Sequence, residues 1–435
     1  MPSVVYKFGG TSLGSAECIQ KVCDIIYADE PSFVVLSAIA GVTDMLESFY
    51  ASSAQERRSL LRDLQKKHEA IVRDLNVPFP VSSWISRLFP YVNQQHLSVA
   101  DRANILALGE DIAVSLVKAV CRSRSLNIQS LEARDVILTD DNYSRATPDL
   151  SLMRRSWKDR QLSANTSYII QGFIGASQAG ETTILGRGGS DYTAALIAEI
   201  CNASEVRIYT DVSGVYTMDP KVVENAQRIP ELSFEEMQNL ARFGAKVLYP
   251  PMLSPCMRAG IPIFVTSTFH STQEGTWIYA IEREESLEPK ITALSLRQNQ
   301  SLCSIDFSSL DQGMDELVYK LHSLGIFPEL ITTQNHTCSF ILDNEGSSSE
   351  KLQSLQHALS TFRVVRLHHD MALITIVGSG LSCPKVMSTM MEGLHLQVAP
   401  LFCSQSSKVL SFAVMSSCAE SIIAQLHNDF VKQDI

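Results

Sequence analysis

Lys7-Phe8-Gly9-Gly10-Thr11-Ser12 is the stretch on which the fold turns. It closes an apolar, β-branched run over 4–8 and is followed, from about Ser15, by a helix-period stretch, so a strand passes straight into a helix. Two glycines at such a turn let backbone N–H groups approach an anion closely, and the helix N-terminus adds positive potential. Lys7 at the strand end can reach the same phosphates as a point charge. Taken alone, the stretch reads equally well as a tight turn with a solvated lysine. Working outward, strand-like runs over 33–39, 168–174, 205–209 and 261–265 alternate with helical stretches. One of these carries Leu60, Leu64, Ile71 and Leu75; another, over 100–121, reads as one long helix. Strands alternating with helices imply an α/β fold around a largely parallel sheet.

Two further turns follow strands. Leu185-Gly186-Arg187-Gly188-Gly189-Ser190-Asp191 opens a helical run over 192–201. Ser190 and Asp191 suit a helix start, and Arg187 among glycines suits bidentate binding of a carboxylate or phosphate. Thr210-Asp211-Val212-Ser213-Gly214-Val215-Tyr216-Thr217-Met218-Asp219-Pro220-Lys221 mixes hydroxyls, an aromatic and a lysine, the composition of a nucleotide-edge loop or of a plain polar turn. None of the three is a GxxxxGK[ST] loop or a dinucleotide GxGxxG, and the protein-kinase HRD and DFG pair is absent.

The chain has 435 residues, 45% of them hydrophobic, and a formal net charge of −11. That composition excludes wholesale disorder and argues against non-specific binding to nucleic acid or an anionic membrane. No apolar run approaches the roughly 18 residues needed to span a bilayer. The N-terminal stretch lacks a signal-peptide layout, so a cytoplasmic location is expected. The ten cysteines are scattered without CxxC or zinc spacing. His368-His369 has no partner at ligand spacing, so no resident metal is expected. The polar, acidic stretch 270–290 reads as a linker. Beyond it lies a weak repeat, offset by roughly 70 residues, the length of one βαββαβ ferredoxin-like unit. Its first copy reads as strand 302–307, helix 311–323, strands 326–333 and 337–342 and a helix over 347–361. Its second reads as strand 372–377, helix 383–391, strands 395–402 and 408–414 and helix 419–430.

Together these segments resemble the aspartate kinases of the amino-acid kinase family. The matching stretches are 7–12, Ser37-Ala38-Ile39-Ala40-Gly41-Val42-Thr43, Leu108-Gly109-Glu110, Gln171-Gly172-Phe173-Ile174-Gly175, 186–192, 210–221 and Phe243-Gly244-Ala245-Lys246-Val247-Leu248, in family order. The C-terminal doublet looks like the family's paired ACT regulatory domains. The resemblance implies a carbamate-kinase-like three-layer αβα sandwich over 1–285, followed by a tandem ACT region over 290–435, with units near 296–365 and 366–435. It implies transfer of the γ-phosphoryl of MgATP to the side-chain carboxylate of L-aspartate, giving 4-phospho-L-aspartate. That is the first step towards lysine (through diaminopimelate), threonine and methionine.

By the same resemblance Lys7 bridges the phosphates, Gly9 and Gly10 donate N–H bonds, and Asp191 orients Lys7. Arg187 clamps an aspartate carboxylate, Glu110 takes the substrate ammonium and Thr43 hydrogen-bonds the substrate. Phe8, Ser190, Thr210, Asp211, Tyr216, Lys221, Lys246 and Val247 match nucleotide-contacting positions. Magnesium sits on phosphate oxygens and water. The length and Glu329-Leu330-Ile331-Thr332-Thr333 resemble the lysine-inhibited, single-activity type, which makes Asp311, Met314, Glu329 and Thr333 candidate effector residues and a homodimer through the ACT units the expectation. The alternatives are another amino-acid kinase with a different acceptor and a non-catalytic amino-acid sensor.

Overall fold

The computed structural model describes residues 3–163, 165–244, 248–270, 274–281, 290–307, 310–324, 326, 328–334, 336–344, 355, 357–360, 362, 364–383 and 402–431, and the side chains of Asp311 and Glu329 fall outside that description. The chain divides into two compact units. The first comprises Met1–Val215, Arg228–Phe234 and Val247–Ile281; the second comprises Tyr216–Gln227, Glu235–Lys246 and Glu282–Ile435.

In the first unit the strands are β1 (Val4–Phe8), β2 (Phe33–Leu36), β3 (Ile128–Leu131), β4 (Leu138–Thr139), β5 (Ser167–Gln171), β6 (Ile174–Ser177), β7 (Thr182–Ile184), β8 (Glu205–Thr210), β9 (Glu231–Ser233), β10 (Ile263–Ser267) and β11 (Gly275–Tyr279). The helices are α1 (Ala16–Asp29), α2 (Val42–Ala51), α3 (Ala54–Leu75), α4 (Val81–Ile85), α5 (Phe89–Val92), α6 (Val99–Ser123), α7 (Leu150–Lys158), α8 (Gly189–Cys201), α9 (Phe234–Arg242, mostly in the second unit) and α10 (Leu253–Ala259). Eight strands form one sheet in the order β3-β5-β2-β1-β8-β10-β11-β9, parallel throughout except where β11 runs against β10. Helices cover both faces: α6 packs on β2, β3 and β5 with α1 beside it, while α8 packs on β1, β2 and β8 with α7 and α10 beside it. This is the expected αβα sandwich, and covered faces explain strands that are apolar almost without alternation.

The long helix α6 starts at a capping box, with Ser98 N–H donating to Asp101 at 2.8 Å and Asp101 N–H to Ser98 Oγ at 3.1 Å. Its middle, from Ile105 to Val114, is buried on every side, so even Glu110 and Asp111 are enclosed. One expectation is corrected here. The stretch read as a linker over 270–290 carries β11, paired in register with β10 from Ile263↔Ile278 to Thr266↔Gly275. Thr276 and Ile278 are both fully buried, and a two-residue period this short is easily lost among flanking polar residues.

The second unit holds β12 (Lys290–Asp306), α11 (Leu310–Ser323), β13 (Glu329–Gln334), β14 (Thr337–Asp343), β15 (Val364–Ser379), β16 (Phe402–Gln405), β17 (Val409–Met415) and α12 (Ser416–Leu426). Its six strands make one antiparallel sheet, β13-β14-β12-β15-β17-β16. Each half has the ferredoxin-like order, but the halves share two long strands. The 300–306 part of β12 pairs with both β14 and the 364–371 part of β15, while the 290–297 part pairs with the end of β15. The strand completing the second half therefore precedes the first half in sequence. The register shifts between Arg297 and Leu302, and Asn299 takes a φ of 57°, where β12 passes from one half to the other. One core gathers Leu317, Leu321, Phe340 and Leu359 around Ile305; the other gathers Ile374, Phe412, Ile423 and Leu426 with Met218 and Val223. The strand expected over 395–402 and the helix expected over 383–391 lie outside the described residues, apart from their end positions, as does most of the helix expected over 347–361.

Candidate active site

β1 sits at the point where the sheet reverses direction: the chain leaves it for β2 on one side and returns to β8 on the other. In open α/β sheets the crevice beyond the C-terminal strand ends at such a point is where ligands bind. The period of the strand sends Phe8 and Lys7 to opposite faces. Phe8 is fully buried and stacks on Tyr209 at 4.6 Å, and its carbonyl accepts from Ser37 N–H at 3.2 Å. Its ring thus serves the core, which leaves at most its backbone for the nucleotide contact expected of it.

Lys7 Nζ lies 2.6 Å from Asp191 Oδ1, with the two side chains only 10% and 14% exposed. After Lys7 the chain turns tightly. Gly9 N–H donates to Tyr209 O at 3.1 Å, and a Cβ on Gly10 would stand 2.9 Å from the Ala38 carbonyl oxygen, so only glycine fits there without movement.

Asp191 belongs to the first turn of α8. The preceding Gly186 and Gly188 have φ of 78° and 67°, and a Cβ on Gly188 would overlap Tyr249, so this turn needs glycine for conformation and space alike. Arg187 stands exposed between them. Ser190 is buried against Gly172, whose hypothetical Cβ would lie 2.5 Å from the Ser190 Cβ. The first amides of a helix have no partners within it, so the α8 N-terminus adds positive potential beside Lys7.

The turn after β2 joins the phosphate-side loop to α6. Ala40 N–H donates to Gly10 O at 3.1 Å, and Ala38 N–H donates to Glu110 Oε1 at 3.0 Å. Glu110 is 3% exposed, and among the described residues its Oε2 has no hydrogen-bond partner. Burial raises its pKa to about 8, opposed in part by the Ala38 N–H. Thr43 lies half-buried in the first turn of α2.

Next to Glu110 is a network that sequence reasoning missed. Arg134 donates to both oxygens of Asp111 at 3.0 Å and to Glu132 at 2.7 Å, and Gln171 Nε2 reaches Asp111 at 3.1 Å. The only hint in sequence was that Gln171 opens a matched stretch and Asp111 follows one.

At the end of β8, Thr210 Oγ1 donates to Asp211 Oδ1 at 3.0 Å. The remaining expected residues are placed elsewhere or not described. Tyr216 and Lys221 belong to the second unit, where Lys221 N–H caps onto Asp219 Oδ1 at 2.9 Å. Lys246 and Val247 lie outside the described residues, as do the side chains of Asp311 and Glu329. Met314 packs against the core beneath α11, and Thr333 is exposed on β13, an edge strand.

Residues 2–267 match the model of the amino acid kinase family. An aspartokinase of Chlamydia pneumoniae is 59% identical over 435 residues, covering 100% of this chain and 99% of its own. The chain belongs to the aspartokinase family. The lysine-sensitive aspartokinase 3 of Escherichia coli, another relative in the family, is 34% identical over 457 residues, covering 98% of each chain. Among solved structures, Escherichia coli aspartokinase III in complex with aspartate and ADP, described as the R-state, superposes with a TM-score of 0.86 at 32% identity, over 99% of this chain and 100% of that one. The same enzyme in complex with lysine and aspartate, the T-state, gives 0.83. In this chain the parallel sheet of the first unit precedes the antiparallel C-terminal sheet.

Proposed function

We propose that this protein is an aspartate kinase, transferring the γ-phosphoryl of ATP to the side-chain carboxylate of L-aspartate. The observation that carries the reading is the buried Lys7–Asp191 pair beside the Gly9–Gly10 turn, at the reversal point of the sheet, in a chain of the aspartokinase family. The acceptor is already an anion, so no general base is needed, and the obstacle is repulsion between carboxylate and triphosphate. Catalysis then rests on positioning and charge neutralisation.

Lys7 Nζ neutralises charge on the transferring group, paired with Asp191, while the Gly10 amide and the first turn of α8 with Ser190 donate to phosphate oxygens; the Gly9 amide expected to do the same is engaged instead by Tyr209 O and holds the turn. Thr210, Asp211, Tyr216, Lys221, Lys246 and Val247 complete the nucleotide site. Arg187 clamps an aspartate carboxylate and Thr43 hydrogen-bonds the substrate. Glu110 Oε2, buried and without a partner among the described residues, is the acceptor a substrate ammonium requires. Among the described residues no three His, Cys, Asp or Glu side chains cluster as a cation site. Magnesium would be carried on the triphosphate through phosphate oxygens and water, and would supply further charge neutralisation there.

Residues 1–285 form the catalytic domain and 290–435 the regulatory ACT pair, with lysine as feedback effector near Asp311, Met314, Glu329 and Thr333. The lysine sensitivity of the Escherichia coli relative supports this choice of effector. Among the described strands, β13 and β16 lie at the sheet edges and suit pairing between two copies, which supports a homodimer, placed in the cytoplasm. No described helix is long and apolar enough to cross a membrane.

Aspartate-dependent ADP release, with glutamate, acetylglutamate and a nucleoside monophosphate as competing acceptors, tests the reaction. The same assay titrated with lysine and threonine tests the regulation. Equal turnover with another acceptor would overturn the first reading, and a flat lysine response the second.

A further inference from the structure

We infer that the buried hydroxyl pair Ser12–Thr268 is a positioning clasp that fixes the phosphate-side turn across the sheet reversal. The inference rests on the reading that Lys7 and the Gly10 amide hold the triphosphate. Ser12 is fully buried and Thr268 is 4% exposed, and their hydroxyl oxygens stand 2.7 Å apart. Ser12 Oγ also donates to Tyr209 O at 3.5 Å, the same carbonyl that accepts Gly9 N–H at 3.1 Å. Thr268 N–H in turn donates to Thr210 O at 2.9 Å.

Two buried hydroxyls have two protons to place. Only one polarity satisfies both with these partners: Thr268 donates to Ser12, and Ser12 donates to the Tyr209 carbonyl. The exits of β1, β8 and β10 are thereby tied at one spot. The opposite flank of the turn is held separately, by Ala40 N–H on Gly10 O at 3.1 Å. Ser12 lies two residues beyond Gly10 and touches no proposed substrate-binding side chain, so it acts through the geometry of the turn. Without the clasp the β8 flank of the turn keeps only the Gly9 N–H on Tyr209 O, and the looser turn lets the Gly10 amide and Lys7 drift from the transferring phosphoryl, while the aspartate-binding residues Glu110, Thr43 and Arg187 stay in place.

The test is steady-state ADP release by Ser12→Ala, Thr268→Val, the double variant, Thr268→Ser and Lys7→Met. A misplacement of about 1 Å at the chemistry costs on the order of 100-fold, so loosening one flank is expected to lower kcat by roughly 10-fold in either single variant. The double variant should be no slower than the slower single one, because both changes break one clasp. KM for aspartate should stay within about twofold, and Thr268→Ser should restore kcat to within about twofold of wild type. Thr268→Val conserves volume and guards against a simple folding defect. Single variants that keep wild-type kcat, losses that multiply in the double variant, or a failure of Thr268→Ser to rescue would each overturn the clasp. Lys7→Met separates the two levels: if it keeps full turnover, the phosphate-side reading itself fails, whereas its inactivity beside active clasp variants condemns the clasp alone.

Discussion

Replacing Lys7 by Met probes structure and chemistry at once, because the same ammonium forms the ion pair with Asp191 and is assigned to the phosphates. The pair is 2.6 Å long, with side chains 10% and 14% exposed. Breaking a fully buried pair costs roughly 3–5 kcal/mol, since the surviving charge is left in low dielectric. The residual exposure and the α8 N-terminus offset part of that, so Lys7→Met should destabilise the first unit by about 2–3 kcal/mol. For a unit of this size the melting temperature should fall by about 4–10 °C. Lys7→Met/Asp191→Asn removes both charges, and replacing a whole buried ion pair is close to neutral, so most of the loss should return. Turnover should not. Both variants should lose on the order of 1000-fold in kcat, the scale of deleting one preorganised charge-stabilising group. Differential scanning calorimetry and ADP release on the same samples read the two quantities. A double variant no more stable than Lys7→Met would refute the ion-pair energetics, and a double variant with wild-type turnover would refute the catalytic assignment.

Three further outcomes are expected. Glu110, at about pKa 8 in the free protein, binds its proton more tightly folded than unfolded. Its contribution to stability is therefore full below the ordinary carboxylate range and lost as pH rises through about 8; Glu110→Gln should gain in melting temperature relative to wild type at pH 9 compared with pH 5, while its KM for aspartate rises at least about 10-fold. Gly188→Ala meets both a left-handed φ of 67° and the Tyr249 side chain, so urea unfolding should report a loss of about 2–4 kcal/mol. Met218→Ala empties part of the second unit's core and should cost roughly 2–4 kcal/mol there, with KM for ATP rising in the ADP-release assay because Tyr216 and Lys221 flank it.

Much of the first unit was legible because the code there is local. β1, β2, β5 and β8 are short β-branched runs between helical stretches, and the turns that follow them announce themselves by glycine. The same turns yield Lys7, Arg187 and Asp191, but not what holds them. The partner of Lys7 is 184 residues away and is met only once α8 docks on β1. Ser12 and Thr268 are farther apart still, and nothing in either local sequence points to the other. Glu110 could be suspected from its apolar neighbours, yet its unpartnered oxygen follows from α6 being enclosed on every side.

The second unit was legible as a repeat but not as a shared sheet, for a physical reason. A ferredoxin-like half needs four strands, and the 290–297 part of β12 supplies the fourth to the half that comes last in the chain. No glycine or proline marks the change of allegiance inside a 17-residue strand; the one local sign is Asn299, whose positive φ coincides with the slipped register. The loop after β8 was only partly legible for the same kind of reason. Read as a polar nucleotide-edge turn, it also buries Met218 and Val223 in the core with Phe412 and Leu426, accepts Leu294 N–H on Thr217 O at 2.8 Å, and places Thr217 Oγ1 2.9 Å from His427 Nε2. A segment that bears two expected ATP contacts is thus packed against the second half of the antiparallel sheet. The conformation around Tyr216 and Lys221 is therefore set by the core of the second unit and not by the loop's own polar composition, which is why a local reading sees only a turn.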